Sequence, residues 1–481
     1  MKLYPIRSAV FCLLSLAVFT AETFAAAPAS DFGDQGKVTV DLGSYGDQAN
    51  AVVVQPDGKI LAGGSTSNTA DLDFMLFRLL PDGSLDTEFN LDGTVSTAVG
   101  SGDDEVFALA LQQDGKILAA GYSSTNGNRD FAVARYNSDG TLDRSFGSEG
   151  MAVTAVGDSD DEITGLVVQE DGKILLTGSA LGEQGRVVVL ARYLSNGSPD
   201  FTFADQGFAL SAVGTDIRAE SLVLSQEGRI LVAGTYQEKE HAALMVLGYD
   251  ANGALDTSFG YDGITVPLDG TVPSAGYGMA VRSDGSLLVA GSAGKNGERD
   301  GALFLFGENG LPDRSFGDKG VLVTDDDVDT VYYDVVINEE MIAATGVTVG
   351  EDGMREALLL TYTKDEGANS VQIFQQQAAV RAADSVDKAA EATEPIAQVV
   401  TTEMDNEEEY AYSLAATDAG SVVVAGASGA QEIASAAVRK YEIFQSSVTG
   451  VSWDTSTGNT SIFTGEPLET TRTTTVIPVK V

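Results

Sequence analysis

A seven-bladed, all-β propeller is the fold that the sequence predicts, on three observations. A turn-and-strand motif that ends in glycine recurs about every 57 residues, at Gly64, Gly121, Gly178, Gly234, Gly291, Gly346 and Gly426. Each copy contains four short apolar runs and no segment with helical periodicity. One further strand-like run precedes the first copy, and the last copy lacks its fourth. Repeats of four strands are typical of propeller blades, of which a ring has about four to eight.

The second copy shows the predicted strands of one blade. Its four runs are residues 106–111, 117–120, 131–136 and 151–156. The first run is apolar on both faces, as a strand between two neighbouring sheets must be. Asp114-Gly115 supplies a hairpin turn, because glycine accepts the positive φ that such turns require.

The two ends of the repeat region predict a closed ring. Residues 37–40 form a fourth strand without a blade, whereas the last copy has only the runs 410–416, 422–426 and 436–444. Pairing of the first segment with the last blade would remove two exposed sheet edges. The alternative is an open β-solenoid, which leaves those edges unpaired. The propeller is predicted to span residues 31–445.

Two segments depart from the repeat. An alanine-rich insertion near residues 375–395 lengthens one interval, and its composition favours a frayed helix over a disordered loop. The C-terminal tail, residues 446–481, is rich in threonine and contains Trp453. Strand propensity at its end leaves three interpretations open: the tail packs on the propeller, joins a partner's sheet, or is disordered.

Residues 1–25 have the pattern of a secretory signal peptide. Lys2 and Arg7 precede an apolar stretch at residues 9–19, and small residues lead to a cleavage site after Ala25. Cys12, the single cysteine, lies within this segment. No later stretch reaches the roughly 18 apolar residues that a membrane-spanning helix needs. The mature protein is therefore predicted to be exported, to a periplasm, a cell surface or the medium.

Charge and composition exclude several classes of function. The sequence has 71 acidic and 28 basic residues and a net charge of −43, so nucleic-acid phosphates and anionic membranes would repel it. One histidine rules out a zinc site with two or three histidine ligands, and one cysteine rules out a disulfide framework. That histidine, His241, has no serine or cysteine partner identifiable from spacing, so we expect no catalytic role for it.

The second copy also carries a family resemblance. Its segments DEVFALALQQDGKILAAGYSS and RDFAVARYNSDGTLDRSFG resemble the delta-60 repeat, which is found in tandem in exported bacterial proteins and is related to propeller repeats. The likeness extends over residues 31–444 and weakens in the sixth and seventh copies. The resemblance implies a propeller fold and export from a bacterium, and it implies no catalytic residues.

A turn motif, Asn/Asp-Gly-x-x-Asp-x-x-Phe, recurs in five copies. The aspartates at the fifth position of the motif are Asp86, Asp143, Asp200, Asp256 and Asp313. The motif superficially resembles a calcium loop, but it lacks the alternating carboxylates and the distant bidentate glutamate. A structural interpretation is favoured: glycine supplies positive φ, aspartate accepts N–H groups of the turn, and phenylalanine packs between blades.

A less regular set of acidic residues lies in the loops that lead from each fourth strand to the next first strand. The candidate metal ligands are Asp103, Asp104, Asp158, Asp160, Asp161, Asp325 and Asp327. In a propeller these loops surround one mouth of the central channel, so their charge would attract calcium, another cation or a cationic polymer. The alternative is solvated surface charge that keeps an exported protein soluble.

These observations favour a secreted, non-enzymatic binding or surface-interaction protein that uses its acidic face to bind a protein, a glycan or a cation. Two alternatives stay open: a polysaccharide hydrolase or lyase with carboxylates at the channel mouth, and a propeller whose calcium is purely structural. Tyr332 and Tyr333 are assigned to the strand core in preference to a sugar-binding platform. Propellers host many unrelated activities, so the fold alone does not choose among these functions.

Overall fold

The structure, a computed structural model, describes most of residues 21–462. The gaps within this range are residues 43–45, 69, 126, 183–184, 239–240, 269–271, 295–298, 325–327, 338–340, 350–354, 365–370, 373–397, 402–408, 418–420, 429–434, 449–450 and 455–458. The elements of the described residues are β-strands. The described residues contain no helix that is long and apolar enough to cross a bilayer.

Seven antiparallel sheets follow one another along the described chain, and each is one blade. In the first five, four consecutive strands pair in chain order. Their strands are β3 (Asp47–Val54), β4 (Ile60–Ser67), β5 (Leu72–Leu79) and β6 (Thr94–Thr97) in blade 1; β7 (Asp104–Leu111), β8 (Ile117–Thr125), β9 (Asn128–Tyr136) and β10 (Met151–Thr154) in blade 2; β11 (Asp161–Val168), β12 (Ile174–Gly182), β13 (Gly185–Tyr193) and β14 (Phe208–Ser211) in blade 3; β15 (Thr215–Leu224), β16 (Ile230–Glu238), β17 (His241–Tyr249) and β18 (Ile264–Thr265) in blade 4; and β19 (Ser274–Val281), β20 (Leu287–Ala293), β21 (Asp300–Phe306) and β22 (Val321–Thr324) in blade 5.

Blades 6 and 7 are completed by strands that are distant in sequence. Blade 6 consists of β23 (Thr330–Ile337), β24 (Met341–Val349), β25 (Arg355–Lys364), the short β26 (Val371–Gln372) and β27 (Gln398–Thr401). Blade 7 consists of β28 (Glu409–Ala416), β29 (Ser421–Ser428) and β30 (Ser435–Val448), completed by β1 (Ala21–Pro28) and β2 (Lys37–Val40). β2 pairs with β30 from Lys37 opposite Arg439 to Val40 opposite Ala436. The predicted closure by residues 37–40 is confirmed.

Hydrophobic clusters lie between successive blades and show that the ring is closed. Between blades 1 and 2, for example, Phe74 packs with Val106 and both are fully buried. The cluster between blades 7 and 1 combines Phe32 of the N-terminal segment with Phe77 and Val438. Burying a side chain of this size stabilises the fold by about 1.5–3 kcal/mol. Every blade is therefore held on both sides, which accounts for the long runs of apolar residues.

The recurring Asn/Asp-Gly-x-x-Asp-x-x-Phe motif joins one blade to the next, as the sequence predicts, and we call it the fastening turn. In blade 2, Asp143 forms an ion pair with Arg135 at 2.8 Å, and the guanidinium lies 4.6 Å from the ring centroid of Phe146. Arg135 also donates a hydrogen bond to the carbonyl of Ser195 in blade 3. Gly197 of blade 3 lies against Phe146, so that a Cβ there would meet the ring at 2.9 Å. The corresponding ion pairs in blades 1 and 3 are Arg78–Asp86 and Arg192–Asp200.

The seven glycines that recur about every 57 residues, which we call the marker glycines, are required for one structural reason. Each lies on a second strand, opposite a β-bulge in the first strand of its blade; in blade 2, Gly121 pairs with Val106 and the register shifts before Ala108. The bulge pushes the carbonyl oxygen of Glu105 toward Gly121, where a Cβ would collide with it. The same collision with a first-strand carbonyl would occur at all seven marker positions. Any larger residue is excluded, and glycine recurs for this reason.

Three regions outside the blades bear on the sequence predictions. β1 spans the predicted cleavage position, Ala25, and its backbone pairs with β30 from Ala21 to Pro28. In the tail, β31 (Val451–Asp454) and β32 (Asn459–Ile462) form a two-stranded sheet. The helix predicted within the insertion near residues 375–395 lies outside the described residues.

Candidate binding site at the channel mouth

The bulged residues of the first strands form a ring around one mouth of the central channel. First strands of successive blades contact one another, so they build the channel wall. The bulge turns one half-buried side chain of each first strand out of the regular alternation and toward the channel. The seven residues are Asn50, Phe107, Thr164, Glu220, Tyr277, Tyr333 and Tyr412. We call them the bulge ring.

The polar members of the bulge ring in blades 1 and 3 are used to join blades. The Asn50 amide donates hydrogen bonds to the carbonyl of Val106 at 2.9 Å and to the carboxylate of Glu105 at 3.0 Å. The hydroxyl of Thr164 donates to the carbonyl of Ala219 at 2.9 Å. These side chains therefore stabilise the contacts between blades, and their donors are already engaged.

The bulge residues of blades 5, 6 and 7 are three tyrosines that contact one another. The rings of Tyr277 and Tyr333 meet edge to face, with centroids 5.2 Å apart. Tyr333 and Tyr412 lie 5.9 Å apart, and Tyr412 stacks on Tyr410 at 5.8 Å. Separations of this size are typical of attractive aromatic pairs. Glu220, the bulge residue of blade 4, acts electrostatically on Tyr277, and we call Glu220 and these three bulge tyrosines the arc.

The hydroxyl groups of the arc differ from those of the core tyrosines. In the core, Tyr136 and Tyr193 donate hydrogen bonds to threonine hydroxyls at 2.9 and 2.6 Å, and the hydroxyl of Tyr332 pairs with Thr324 at 2.7 Å. Among the described residues, no such partner is found for the hydroxyls of Tyr277, Tyr333 and Tyr412. Tyrosine hydroxyls inside proteins usually find a partner, so the arc presents polar groups that a ligand can engage.

Burial shifts the ionisation of the arc. Desolvation raises the pKa of Glu220 to about 7, although the neighbouring Arg218 lowers it in part. The same effect raises the pKa of Tyr277 to about 12 and that of Tyr412 well above its usual range. Near neutral pH the Glu220 carboxyl group therefore exists in both forms, and it can donate or accept a hydrogen bond.

Arginines interleave with the acidic residues around the mouth. Arg129 and Arg186 each approach Glu162 at 3.7 Å, and Arg299 forms a 2.8 Å ion pair with Asp329. These arginines lie at the beginning of third strands, 24 to 33 residues from their partners in sequence. The mouth therefore has mixed charge, and the field there is less negative than the acidic loops alone suggest.

Two of the predicted metal ligands are buried and hold the loops in place. Asp104 accepts the backbone N–H groups of Val99 at 2.7 Å and Gly100 at 2.9 Å. Asp161 repeats this arrangement in blade 3, with two backbone N–H donors at 2.8 and 2.9 Å. Burial raises the pKa of both carboxyl groups. Each is the acceptor that closes the turn from a fourth strand to the next first strand.

The remaining predicted ligands lie on the surface or outside the described residues. Asp103 and Asp160 are exposed, and each accepts an N–H at the start of the preceding blade's third strand, at 3.1 Å. Asp158 is exposed, whereas Asp325 and Asp327 fall in a gap of the described chain. Within the described residues, no group of three or more acidic, histidine or cysteine side chains converges as metal ligands do. Calcium binding stays a prediction.

The arc is the part of the site that the sequence analysis misses. Tyr332 is core, as expected, whereas Tyr333 is only half-buried: it packs on the edge of a buried cluster around Tyr410 and contacts the rings of Tyr277 and Tyr412. The arc can be identified from the position of its residues in the first strand. Each bulge residue directly follows the residue that pairs with a marker glycine; Tyr333, for example, follows Tyr332, which pairs with Gly346.

The fold and the repeat define a tandem-repeat β-propeller protein. Four segments, residues 55–89, 112–146, 169–203 and 282–316, match the family described as "Domain of unknown function (DUF5122) beta-propeller". Each matched segment runs from the first hairpin of a blade to the phenylalanine of the fastening turn. No curated protein matches the chain.

Several solved structures resemble this chain in fold, all at low sequence identity. The polysaccharide lyase Uly1 shares 12% identity over 82% of this chain and 89% of its own, with a TM-score of 0.47. Drosophila Semaphorin 1b, extracellular domains 1-2, shares 8% over 84% and 87%, at 0.41. The PQQ-bound aldose sugar dehydrogenase of Streptomyces coelicolor shares 11% over 72% and 97%, at 0.38. At these scores the similarities indicate neither a ligand nor an activity.

Proposed function

We propose that the protein is an exported, non-enzymatic binding propeller that takes its ligand at the channel mouth, on the face that carries the acidic loops. One observation carries the proposal. Within the bulge ring, the polar groups of blades 1 and 3 form hydrogen bonds between blades, whereas the tyrosine hydroxyls of the arc have no hydrogen-bond partner among the described residues. A few polar groups on an aromatic, concave surface are typical of ligand-binding sites.

Export is the second part of the proposal. The N-terminal pattern of a signal peptide and the resemblance of the chain to the delta-60 repeat of exported bacterial proteins both support it. After cleavage at Ala25, residues 26–28 of β1 would remain paired with β30. Mass spectrometry of the protein secreted by its host tests this part, because an N-terminus at residue 26 is expected. An intact N-terminus in the mature protein would contradict it.

Thermal unfolding in the presence of ligand candidates tests where binding occurs. The probes are neutral oligosaccharides, a galacturonic acid hexamer, a lysine hexamer and calcium chloride. The site variant is Tyr333→Ala with Tyr412→Ala, and the loop variant is Asp103→Asn with Asp158→Asn and Asp160→Asn. Tyr261→Ala is the matched control, because this tyrosine is 76% exposed on the outside of blade 4.

The proposal expects a ligand that raises Tm in the wild type and in the control but not in the site variant. A saccharide or peptide probe whose effect is lost only in the loop variant would move the site to the acidic loops. Absence of any Tm shift with all four kinds of probe would overturn binding at the mouth.

One observation favours a second candidate, a polysaccharide hydrolase or lyase. A carboxyl group whose pKa is about 7, as at Glu220, is suited to proton transfer at neutral pH. Glu162 is near enough to raise that pKa further and would be the second carboxylate. Release of reducing ends from a neutral polysaccharide, or of unsaturated products from a uronic acid polysaccharide, abolished by Glu220→Gln, would establish this candidate. Binding without any product would leave the non-enzymatic function.

A further inference from the structure

We propose that the arc binds a neutral saccharide, with pyranose rings stacked on Tyr277, Tyr333 and Tyr412 and sugar hydroxyls bonded to the Glu220 carboxyl group. The inference rests on the proposed function and names its ligand class.

The shape of the arc suits a chain of flat apolar faces. Three tyrosine rings follow each other at 5.2 and 5.9 Å on three consecutive blades, and each is half-buried. Such rings offer large, rigid contact surfaces, and little side-chain freedom is lost when a ligand covers them. The C–H faces of a pyranose are apolar and of comparable width. Because the ring planes are inclined at 68° and 50° to one another, a sugar chain that covers all three rings must turn from one unit to the next.

The hydrogen-bonding groups of the arc match hydroxyl groups. A sugar hydroxyl both donates and accepts, and so does a tyrosine hydroxyl. Near its pKa of about 7, the Glu220 carboxyl group also offers both functions. A ligand that can only accept or only donate would leave some of these groups unpaired in a half-buried site, at a cost in affinity.

The charges beside the arc disfavour ionic ligands of either sign. A polyanion is repelled by a protein with a net charge of −43. A cation would compete with arginines that are already placed at the aromatic half: Arg355 lies 5.5 Å from the ring centroid of Tyr410 and donates to its hydroxyl at 3.1 Å. Arg299, paired with Asp329, acts electrostatically on Tyr277 and Tyr333. A neutral ligand avoids both penalties.

Isothermal titration calorimetry with neutral hexasaccharides tests the inference. The probes are maltohexaose, cellohexaose, xylohexaose, mannohexaose and laminarihexaose, titrated into the full-length protein. For a hexasaccharide that binds, Tyr333→Ala should weaken affinity about tenfold or more, because a stacking surface is lost. Tyr333→Phe should weaken it about two- to tenfold, because only a hydroxyl is lost. Tyr261→Ala should leave affinity unchanged, and the circular dichroism spectra of all variants should match the wild type.

The outcomes separate the ligand class from the site. Binding of a hexasaccharide that is lost in Tyr333→Ala and retained in Tyr261→Ala supports both the site and the class. Binding of the lysine or galacturonic acid hexamer, with no hexasaccharide bound and with the same loss in Tyr333→Ala, overturns the saccharide but keeps the site. Hexasaccharide binding that Tyr333→Ala and Tyr412→Ala both leave intact overturns the arc. No binding of any probe overturns both proposals.

Discussion

The fastening turn provides an internal series in which one aspartate is surrounded by different numbers of cations. In blade 2, Asp143 contacts Arg135 and Lys116, both at 2.8 Å. In blade 4, glycine replaces the third-strand arginine, and Arg229 lies just before β16, at the position of Lys116; it contacts Asp256 at 2.7 Å and is the one cation found there among the described residues. In blade 5, Asp313 keeps its bonds from the Ser315 backbone N–H and hydroxyl, and no cation contacts it among the described residues. Replacement by alanine at these three positions therefore isolates the contribution of the cations.

The expected losses follow from burial. The side chains of Asp143 and Arg135 are each 8% exposed, so Asp143→Ala leaves a buried guanidinium without its carboxylate, at a cost of about 3–5 kcal/mol. Asp256 and Arg229 are 23% and 16% exposed, and the loss of a charged hydrogen bond there should cost about 1.5–3 kcal/mol. Asp313→Ala loses turn hydrogen bonds only, which corresponds to about 1 kcal/mol.

Thermal unfolding of the three variants measures these differences. For a chain of this size, about 1 kcal/mol corresponds to roughly 1 °C in Tm, because the entropy of unfolding grows with chain length. We expect the decrease in Tm to rank Asp143→Ala first, Asp256→Ala second and Asp313→Ala last, with about 3–5 °C for the first.

The pH dependence of the largest effect gives a second check. The lysine and arginine contacts hold the pKa of Asp143 well below its usual range. A carboxyl group with a lowered pKa contributes stability above its unfolded pKa of about 4, and this contribution is lost as the pH falls below it. The difference between wild type and Asp143→Ala should therefore shrink as the pH is lowered from 5 toward 2. Equal Tm losses at all three aspartates, or a loss that is constant with pH, would refute the role assigned to the cations.

Three further predictions concern the ring, its channel and its loops. Deletion of residues 31–40 removes the buried Phe32 and Val40 and reopens blade 7, so Tm should fall by several degrees or more, and an unchanged Tm would contradict closure. Burial raises the pKa of Asp334 to about 6, so the protein should lose stability relative to Asp334→Asn as the pH rises from about 4 to about 6; a pH-independent difference between their Tm values would contradict this. Calcium bound by the exposed loop carboxylates should raise Tm at millimolar concentration, and EDTA or the triple Asp103, Asp158 and Asp160 to Asn variant should abolish the effect, whereas an unchanged Tm would assign these carboxylates to solvated charge.

The repeat, the strand number and the closure could be predicted from sequence because each is enforced by sterics or by unpaired edges. The marker glycines recur because a Cβ would collide with a first-strand carbonyl, and this constraint does not depend on the ligand. The extra strand at residues 37–40 was predictable because a three-stranded last blade would leave an edge open. In both cases a local physical requirement restricts which residues can occur, so the feature can be predicted from the sequence.

The candidate site was less predictable because it depends on register and on distant partners. Asp104 and Asp158 look alike as members of acidic runs, yet only Asp104 stands two residues before the marker partner Val106, where its side chain is buried. The arginine at Arg299 that faces Asp329 comes from the neighbouring blade, 30 residues away in sequence. Counting charge along the chain therefore overestimates the negative field at the mouth.

The positions that vary within the repeat are the ones that carry the binding proposal. At the bulge, the backbone shape is fixed by the opposite glycine, whereas the side chain faces the channel and is free to differ from blade to blade. Where the side chain is asparagine or threonine, as at Asn50 and Thr164, it bonds to the next blade and adds to the ring's stability. At Tyr277, Tyr333 and Tyr412 no such bond forms in the described structure, so the stability of the ring gives no reason for the hydroxyls. Phenylalanine would serve the same packing, and the proposed saccharide would account for tyrosine in three consecutive blades by forming hydrogen bonds with the hydroxyl groups.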